Sequence, residues 1–192
     1  DTRRTKILIP DSAHGTNPAS CTMAGFSAVS IASDENGAVD LAALKAACEG
    51  EKGKEIAGLM ITNPSTLGLF EKNIRSLTGL IHEAGGLVYG DGANMNALTG
   101  IVKPGDLGFD VMHLNLHKTF STPHGGGGPG AGAVAATEQL GAFLPGPVAA
   151  LEQSSYCLKK PVHSIGRLKS FNGNFAVLVR AYAYIRLLGE QG

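Results

Sequence analysis

The strongest constraint on this chain is its rhythm. Short runs rich in β-branched and aliphatic residues alternate with stretches of helical period, the pattern of a parallel α/β sheet. Residues 6–9, 28–32, 56–62, 87–89, 111–114 and 131–136 read as buried strands. Between them, Asp40 is expected to cap a helix running through Cys48, because its carboxylate can accept from the free N–H groups of a first turn. A second helix is expected over 71–84, where Ile74, Leu77, Ile81 and Ala84 recur at three- and four-residue spacing before Gly85-Gly86. A third, over 174–188, is apolar on nearly every side apart from Arg180 and Arg186, so it is expected to be largely buried. Residues 145–161 have weak periodicity and read as a surface excursion.

Composition narrows the function classes. The 192 residues suffice for one domain with a real core, and 43% hydrophobic against 17% charged is a globular balance. Sixteen basic side chains offset sixteen acidic ones, which removes the charge argument for nucleic acid or an anionic membrane as partner. The apolar run 131–136 falls far short of the roughly 20 residues that span a bilayer. Cys21, Cys48 and Cys157 are odd in number and lack any CxxC spacing, so cytoplasmic thiols are expected rather than a disulfide framework. The first residues do not match a signal peptide, and the end at Gly192 directly after a strong helix reads as a cut in a longer protein.

Polar residues gather where the strands end, which is where open α/β sheets bind ligands. The clusters are Asp11-Ser12-Ala13-His14-Gly15-Thr16-Asn17-Pro18, Thr62-Asn63-Pro64-Ser65-Thr66, Asp91-Gly92-Ala93-Asn94 and Asn115-Leu116-His117-Lys118-Thr119. Taken alone, Lys118 reads as a solvated loop lysine, but a lysine after a buried strand can also be a nucleophile toward aldehydes once its pKa is lowered. Asp91 reads either as a cap for the turn near Ala93 or as the partner of a protonated pyridinium nitrogen, and the two roles are compatible. The stretch Gly125-Gly126-Gly127-Gly128-Pro129-Gly130 matches neither a P-loop nor a GxGxxG turn, and reads as a flexible linker, a close-approach loop or a lid. His113 and His117 are four apart, but the alternation around them is that of a strand, so no metal site is expected. His82 is expected to be solvated and His163 to lack a partner.

The strings DSAHGTNPAS, MITNPSTLGLF, DGANMNA, KPGD at 103–106 and HLNLHKTFSTPHGGGGPG together resemble the glycine decarboxylase P-proteins of the glycine cleavage system. The tail SIGRLKSFNGNFAVLVRAYAYIRLLG is similar to the second subunit of the bacterial two-subunit form. The resemblance covers nearly the whole chain. It implies the α/β fold of the type I pyridoxal-phosphate transferase large domain (aspartate aminotransferase-like), built on a mostly parallel seven-stranded sheet. It implies pyridoxal 5'-phosphate as cofactor, Lys118 as the Schiff-base lysine and Asp91 as partner of the ring nitrogen. Ala93 is implied on one ring face and His14 stacked on the other. His117 and Thr119 are implied as phosphate or lysine-loop contacts, and Thr62 and Asn63 near the cofactor hydroxyl or the substrate.

The reaction implied is decarboxylation of glycine with transfer of the aminomethyl group to the lipoyl arm of H-protein, residues 125–130 forming the mouth of the channel for that arm. The implied partners are glycine, lipoylated H-protein and the first subunit of the P-protein, in a heterodimer or heterotetramer, with no nucleic acid and no membrane. The implied location is the cytoplasm, or the mitochondrial matrix in a eukaryote. In this family the main phosphate loop lies upstream of the DSAHG motif. Residues 1–192 are accordingly expected to be the central part of the cofactor-binding large domain, with 145–192 beginning the link to a C-terminal domain. The competing expectations are another type I enzyme, such as an amino-acid decarboxylase or aminotransferase, and a non-catalytic scaffold subunit. A plain nucleotide-binding module would need a phosphate-loop glycine pattern that is missing here.

Overall fold

The computed structural model describes residues 2–126 and 130–191. Each expected strand is present: β1 (Lys6–Pro10), β2 (Ser27–Ile31), β3 (Ile56–Thr62), β4 (Leu87–Asp91), β5 (Val111–Asn115) and β6 (Gly132–Ala136). They form one sheet in the order β2-β1-β3-β4-β5-β6, parallel except for the antiparallel pair β5/β6. The described residues thus supply six strands to this sheet, not seven. The next two, β7 (Val148–Glu152) and β8 (Ser155–Lys159), pair with each other instead. Within the expected surface excursion they form a largely exposed hairpin whose two-residue loop puts both Gln153 (φ 46°) and Ser154 (φ 71°) in left-handed conformation. Neither residue is a usual signal for such a turn, which hides the hairpin in the sequence.

The helices are α1 (Thr16–Met23), α2 (Leu41–Cys48), α3 (Gly50–Gly53), α4 (Ile74–Glu83), α5 (Leu116–Thr119), α6 (Glu138–Gly141) and α7 (Phe175–Leu188). α1 occupies part of what read as a polar loop. Asp40 caps α2 as expected, accepting from Ala42 N–H at 2.9 Å and Ala43 N–H at 3.0 Å. α4 begins three residues later than expected because Glu71 serves as an acceptor: its buried carboxylate takes the N–H groups of Asn73 and Val39. Gly85, at φ 80°, ends the helix in the left-handed conformation that favours glycine.

Strand side chains alternate between the two sheet faces. Leu8, Leu59, Ile61, Val88 and Met112 pack with Leu44 of α2 and Leu77 and Ile81 of α4 to form the main core. Ile9 and Met60 face the other way, against Cys21 of α1, with Tyr89 beside them. α7 lies on the α4 side, where Val177 and Ala181 meet Leu116, Ala131 and Ala133. That contact is one narrow i,i+4 stripe, so the expected burial of α7 does not occur: Phe175 is 80% exposed and Leu187 84% exposed. An apolar helix is buried only where partners reach it, and among the described residues these reach a single face. The two histidines read as unpartnered also have neighbours. His82 Nε2 lies 2.8 Å from Asp110 Oδ2, drawn there because Asp110 also accepts from Val88 N–H at 2.7 Å. The His163 ring stacks on Phe143, centroids 5.5 Å apart.

Leu77 is fully buried between α4 and the sheet. Leu77→Ala is expected to lower the unfolding free energy by about 2–5 kcal/mol, the usual cost of a core cavity. Asp40→Ala, which loses only the α2 cap, is expected to cost about 1 kcal/mol. Urea unfolding followed by circular dichroism checks this order.

Candidate functional site

The parallel strands β1, β3, β4 and β5 deliver the polar clusters to one edge of the sheet, as expected of their carboxyl ends. The best-built group there is Asp91, the last residue of β4 and buried at 6% exposure. Removing a carboxylate from water is costly unless donors replace the lost solvation. Two donors and a histidine ring do so. Thr62 Oγ1, its neighbour in register on β3, donates to Oδ2 at 3.1 Å. Ala93 N–H donates to Oδ1 at 2.9 Å, the capping role foreseen for this residue. His113 Nε2, its neighbour on β5, lies 3.2 Å from Oδ1. A carboxylate has about four acceptor positions, so Asp91 retains one, on the Oδ2 side.

The other candidates occupy the same edge in less finished arrangements. His14 is exposed just ahead of α1, and its Nδ1 accepts from Thr16 N–H at 3.1 Å. Asn63 is buried, with Oδ1 accepting from Glu71 N–H at 2.9 Å and Nδ2 unpartnered among the described residues. Asn94 Nδ2 donates to the carbonyls of Pro64 and Ser65, tying the loop after β3 to the turn after β4. His117 meets His124 edge-on, ring centroids 4.4 Å apart. Burial first, then the nearby His124 and Lys118, hold the His117 imidazole below its ordinary pKa. Thr119 is buried, and its Oγ1, like that of Thr122, has no partner among the described residues.

Lys118 lies in α5, the helical turn that follows β5, and is exposed. Among the described residues no hydrogen bond or ion pair engages its amine. It borders a cavity of about 480 Å³ together with Met95, Asn96 and Thr99 from the turn after β4, and Tyr184 and Leu188 from α7. The Asp91 carboxylate faces the α1 side of the sheet with Tyr89 and His113, whereas this cavity is walled by α7 on the α4 side. The fold thus brings Asp91 and Lys118 to adjacent strand ends, with their functional groups on different sides of the edge. Of the glycine-rich segment, residues 127–129 lie outside the described residues; Gly126 has φ 34°.

Tyr89, His113 and Asn115 went unremarked as site residues in the sequence, His113 having been weighed only as a zinc ligand. The signal was there. Tyr89 and Asp91 are two apart on one strand, and so are His113 and Asn115 on the next, so all four share a face once β4 and β5 are paired.

The residues present fit a pyridoxal-phosphate group on three counts. A buried anion with one free acceptor position suits a ring N–H. Among the described residues the Thr119 and Thr122 hydroxyls are buried without partners, and an unengaged lysine amine sits between the two strand ends and α7.

Comparison with known proteins accords with this geometry. No family model matches the chain. Proteins named "Probable glycine dehydrogenase (decarboxylating) subunit 2" match it along its whole length. The relative from Thioalkalivibrio sulfidiphilus is 58% identical over 100% of this chain and 38% of its own length. That from Pyrococcus horikoshii is 55% identical over 100% of this chain and 38% of its own length. The chain therefore spans under two-fifths of these relatives. Among solved structures, the cysteine desulfurase CsdA of Escherichia coli superposes with a TM-score of 0.71 at 16% identity, over 97% of this chain and 46% of its own. A sphingosine-1-phosphate lyase from Burkholderia pseudomallei does so with 0.67 at 17% identity, over 98% and 42%. The fold is the one expected, a mostly parallel α/β sheet shared with these two enzymes.

Because His124 is the larger of the two charged neighbours holding the His117 pKa down, His124→Gln is expected to raise the His117 midpoint toward the ordinary imidazole value. An NMR titration of the His117 ring reads the shift.

Proposed function

We propose that this chain is the central part of the cofactor-binding domain of a glycine dehydrogenase (decarboxylating) of the second-subunit type, and that its carboxyl edge holds pyridoxal phosphate. The observation that carries the reading is Asp91: a buried carboxylate with two hydrogen-bond donors, a histidine ring nitrogen 3.2 Å away and an acceptor position left, at the strand end next to the one that leads into Lys118. The identity of 55–58% with relatives of that name supports the same reading.

The bound cofactor would supply an electron sink for the carbon that loses glycine's carboxylate. The chain's own residues do the rest. Asp91 keeps a negative charge at the ring nitrogen and so holds a proton there. Lys118 supplies the amine that captures the cofactor; its flexible four-carbon stem swings the amine across the edge from the α7 side. Ala93 and His14 flank the ring, Thr119 and His117 reach toward the phosphate, and Thr62 and Asn63 border the glycine position. Domain boundaries follow the same reading, with 145–192 leading toward a C-terminal domain and the upstream chain supplying the main phosphate loop.

The partners proposed are the first P-protein subunit and a lipoylated H-protein that receives the aminomethyl group, with the glycine-rich residues 125–130 at the mouth used by the lipoyl arm. The compartment proposed is the cytoplasm. No helix among the described residues is long and apolar enough to cross a membrane. A second reading, a scaffold subunit without catalysis, draws on the exposure of Lys118 and its separation from Asp91.

Titration of the full-length protein with pyridoxal phosphate separates the two. The proposal expects a visible absorption band that Lys118→Ala abolishes, together with glycine-dependent exchange of labelled bicarbonate. A band unaffected by Lys118→Ala contradicts the lysine's role, and uptake without exchange favours a different type I reaction.

A further inference from the structure

We infer that His113 is a positioning residue which, backed by Tyr89, fixes the charge and orientation of Asp91 through a hydroxyl–imidazole–carboxylate chain across two neighbouring strands. The inference deepens the proposed function and rests on its premise that Asp91 meets a cofactor ring nitrogen.

For the neutral ring the geometry selects one tautomer. Tyr89 Oη lies 2.6 Å from His113 Nδ1. His113 Nε2 lies 3.2 Å from Asp91 Oδ1 and 3.0 Å from Asn115 Oδ1. Both neighbours of Nε2 are acceptors, so this nitrogen carries the hydrogen, which points at Asn115 Oδ1 with Asp91 Oδ1 close beside it; a bare lone pair there would face a carboxylate oxygen. In the neutral ring Nδ1 is then the acceptor and Tyr89 the donor. Burial, and then the negative charge of Asp91, push the Tyr89 hydroxyl up to about 12, so it keeps its proton and stays a donor. The backbone sets the arrangement: the β4/β5 register pairs Asp91 with His113, and alternation places Tyr89 and Asp91 on the same face.

The consequence falls on Asp91. A ring N–H lying 3.2 Å from a buried carboxylate oxygen offsets part of the cost of burying the charge and limits how the carboxylate can turn. His113 touches neither ring nor substrate in this account and acts only through Asp91. Partners that orient a site's contact group in this way are worth about 10- to 100-fold in activity.

Two readouts test this in the full-length protein. In the cofactor-free state, NMR of ¹⁵N-labelled histidine is expected to show the Nε2–H tautomer for His113, and Tyr89→Phe is expected to move the Nδ1 resonance toward that of an unbonded ring nitrogen. An Nδ1–H tautomer, or no response to Tyr89→Phe, overturns the chain. In the protein loaded with pyridoxal phosphate, His113→Phe is expected to lower kcat about 10- to 100-fold with little change in KM for glycine. His113→Gln, whose amide N–H can still donate to Asp91, is expected to recover most of it. Should His113→Phe fail to fold, the tautomer and the Tyr89→Phe response decide. A wild-type protein that takes up no pyridoxal phosphate overturns the parent reading together with this one. Uptake with an unchanged kcat in His113→Phe overturns this one alone.

Discussion

A charge buried at the end of a central strand is the constraint on which the site depends. Asp91 has almost no contact with solvent, so its ionised form persists only because neighbouring groups replace the water it lost. Every one of those groups comes from the sheet or from the turn that continues it: Thr62 from one flanking strand, His113 from the other, and the N–H of Ala93 from the chain immediately ahead. The parallel register therefore does more than build a core. It places two donors and a histidine ring around one carboxylate and leaves a single direction open, toward the edge where ligands bind in folds of this kind.

Much of this was legible in the sequence because it rests on local chemistry. The strands follow from runs such as Ile56–Thr62, which bury on both faces, and the α2 cap follows from Asp40 alone. The capping role of Asp91 could be read as well, because a carboxylate leaving a strand is placed to accept from the turn that follows. What could not be read depends on pairing. The partnership of Tyr89 and His113 with Asp91 needs the β4/β5 register, which residues 22 or more positions apart do not declare. The β7/β8 hairpin turns on Gln153 and Ser154, residues that seldom adopt left-handed backbone. α7 misled for a different reason. Apolar residues on all sides signal a helix that is covered on all sides, and here Val177 and Ala181 alone are buried.

Lys118 and α7 belong to one physical picture. The helix walls the cavity that Lys118 borders, and its remaining apolar surface is open among the described residues. The chain spans less than two-fifths of the relatives it matches. Under the proposed function, that longer chain and its partner subunit meet the open face of α7 and supply the main phosphate contacts. Among the described residues no ion pair or hydrogen bond holds the Lys118 amine on the α7 side.

The central claim is that Asp91 is an anion set against a protonated ring nitrogen. The most direct measurement is ¹⁵N NMR of the full-length protein loaded with pyridoxal phosphate labelled at the ring nitrogen. The account predicts the chemical shift of a pyridinium, with a proton coupled to the nitrogen, and its replacement by the shift of a neutral pyridine in Asp91→Asn. A neutral ring nitrogen in the wild-type protein, or a pyridinium that persists when Asp91 is replaced, would contradict it.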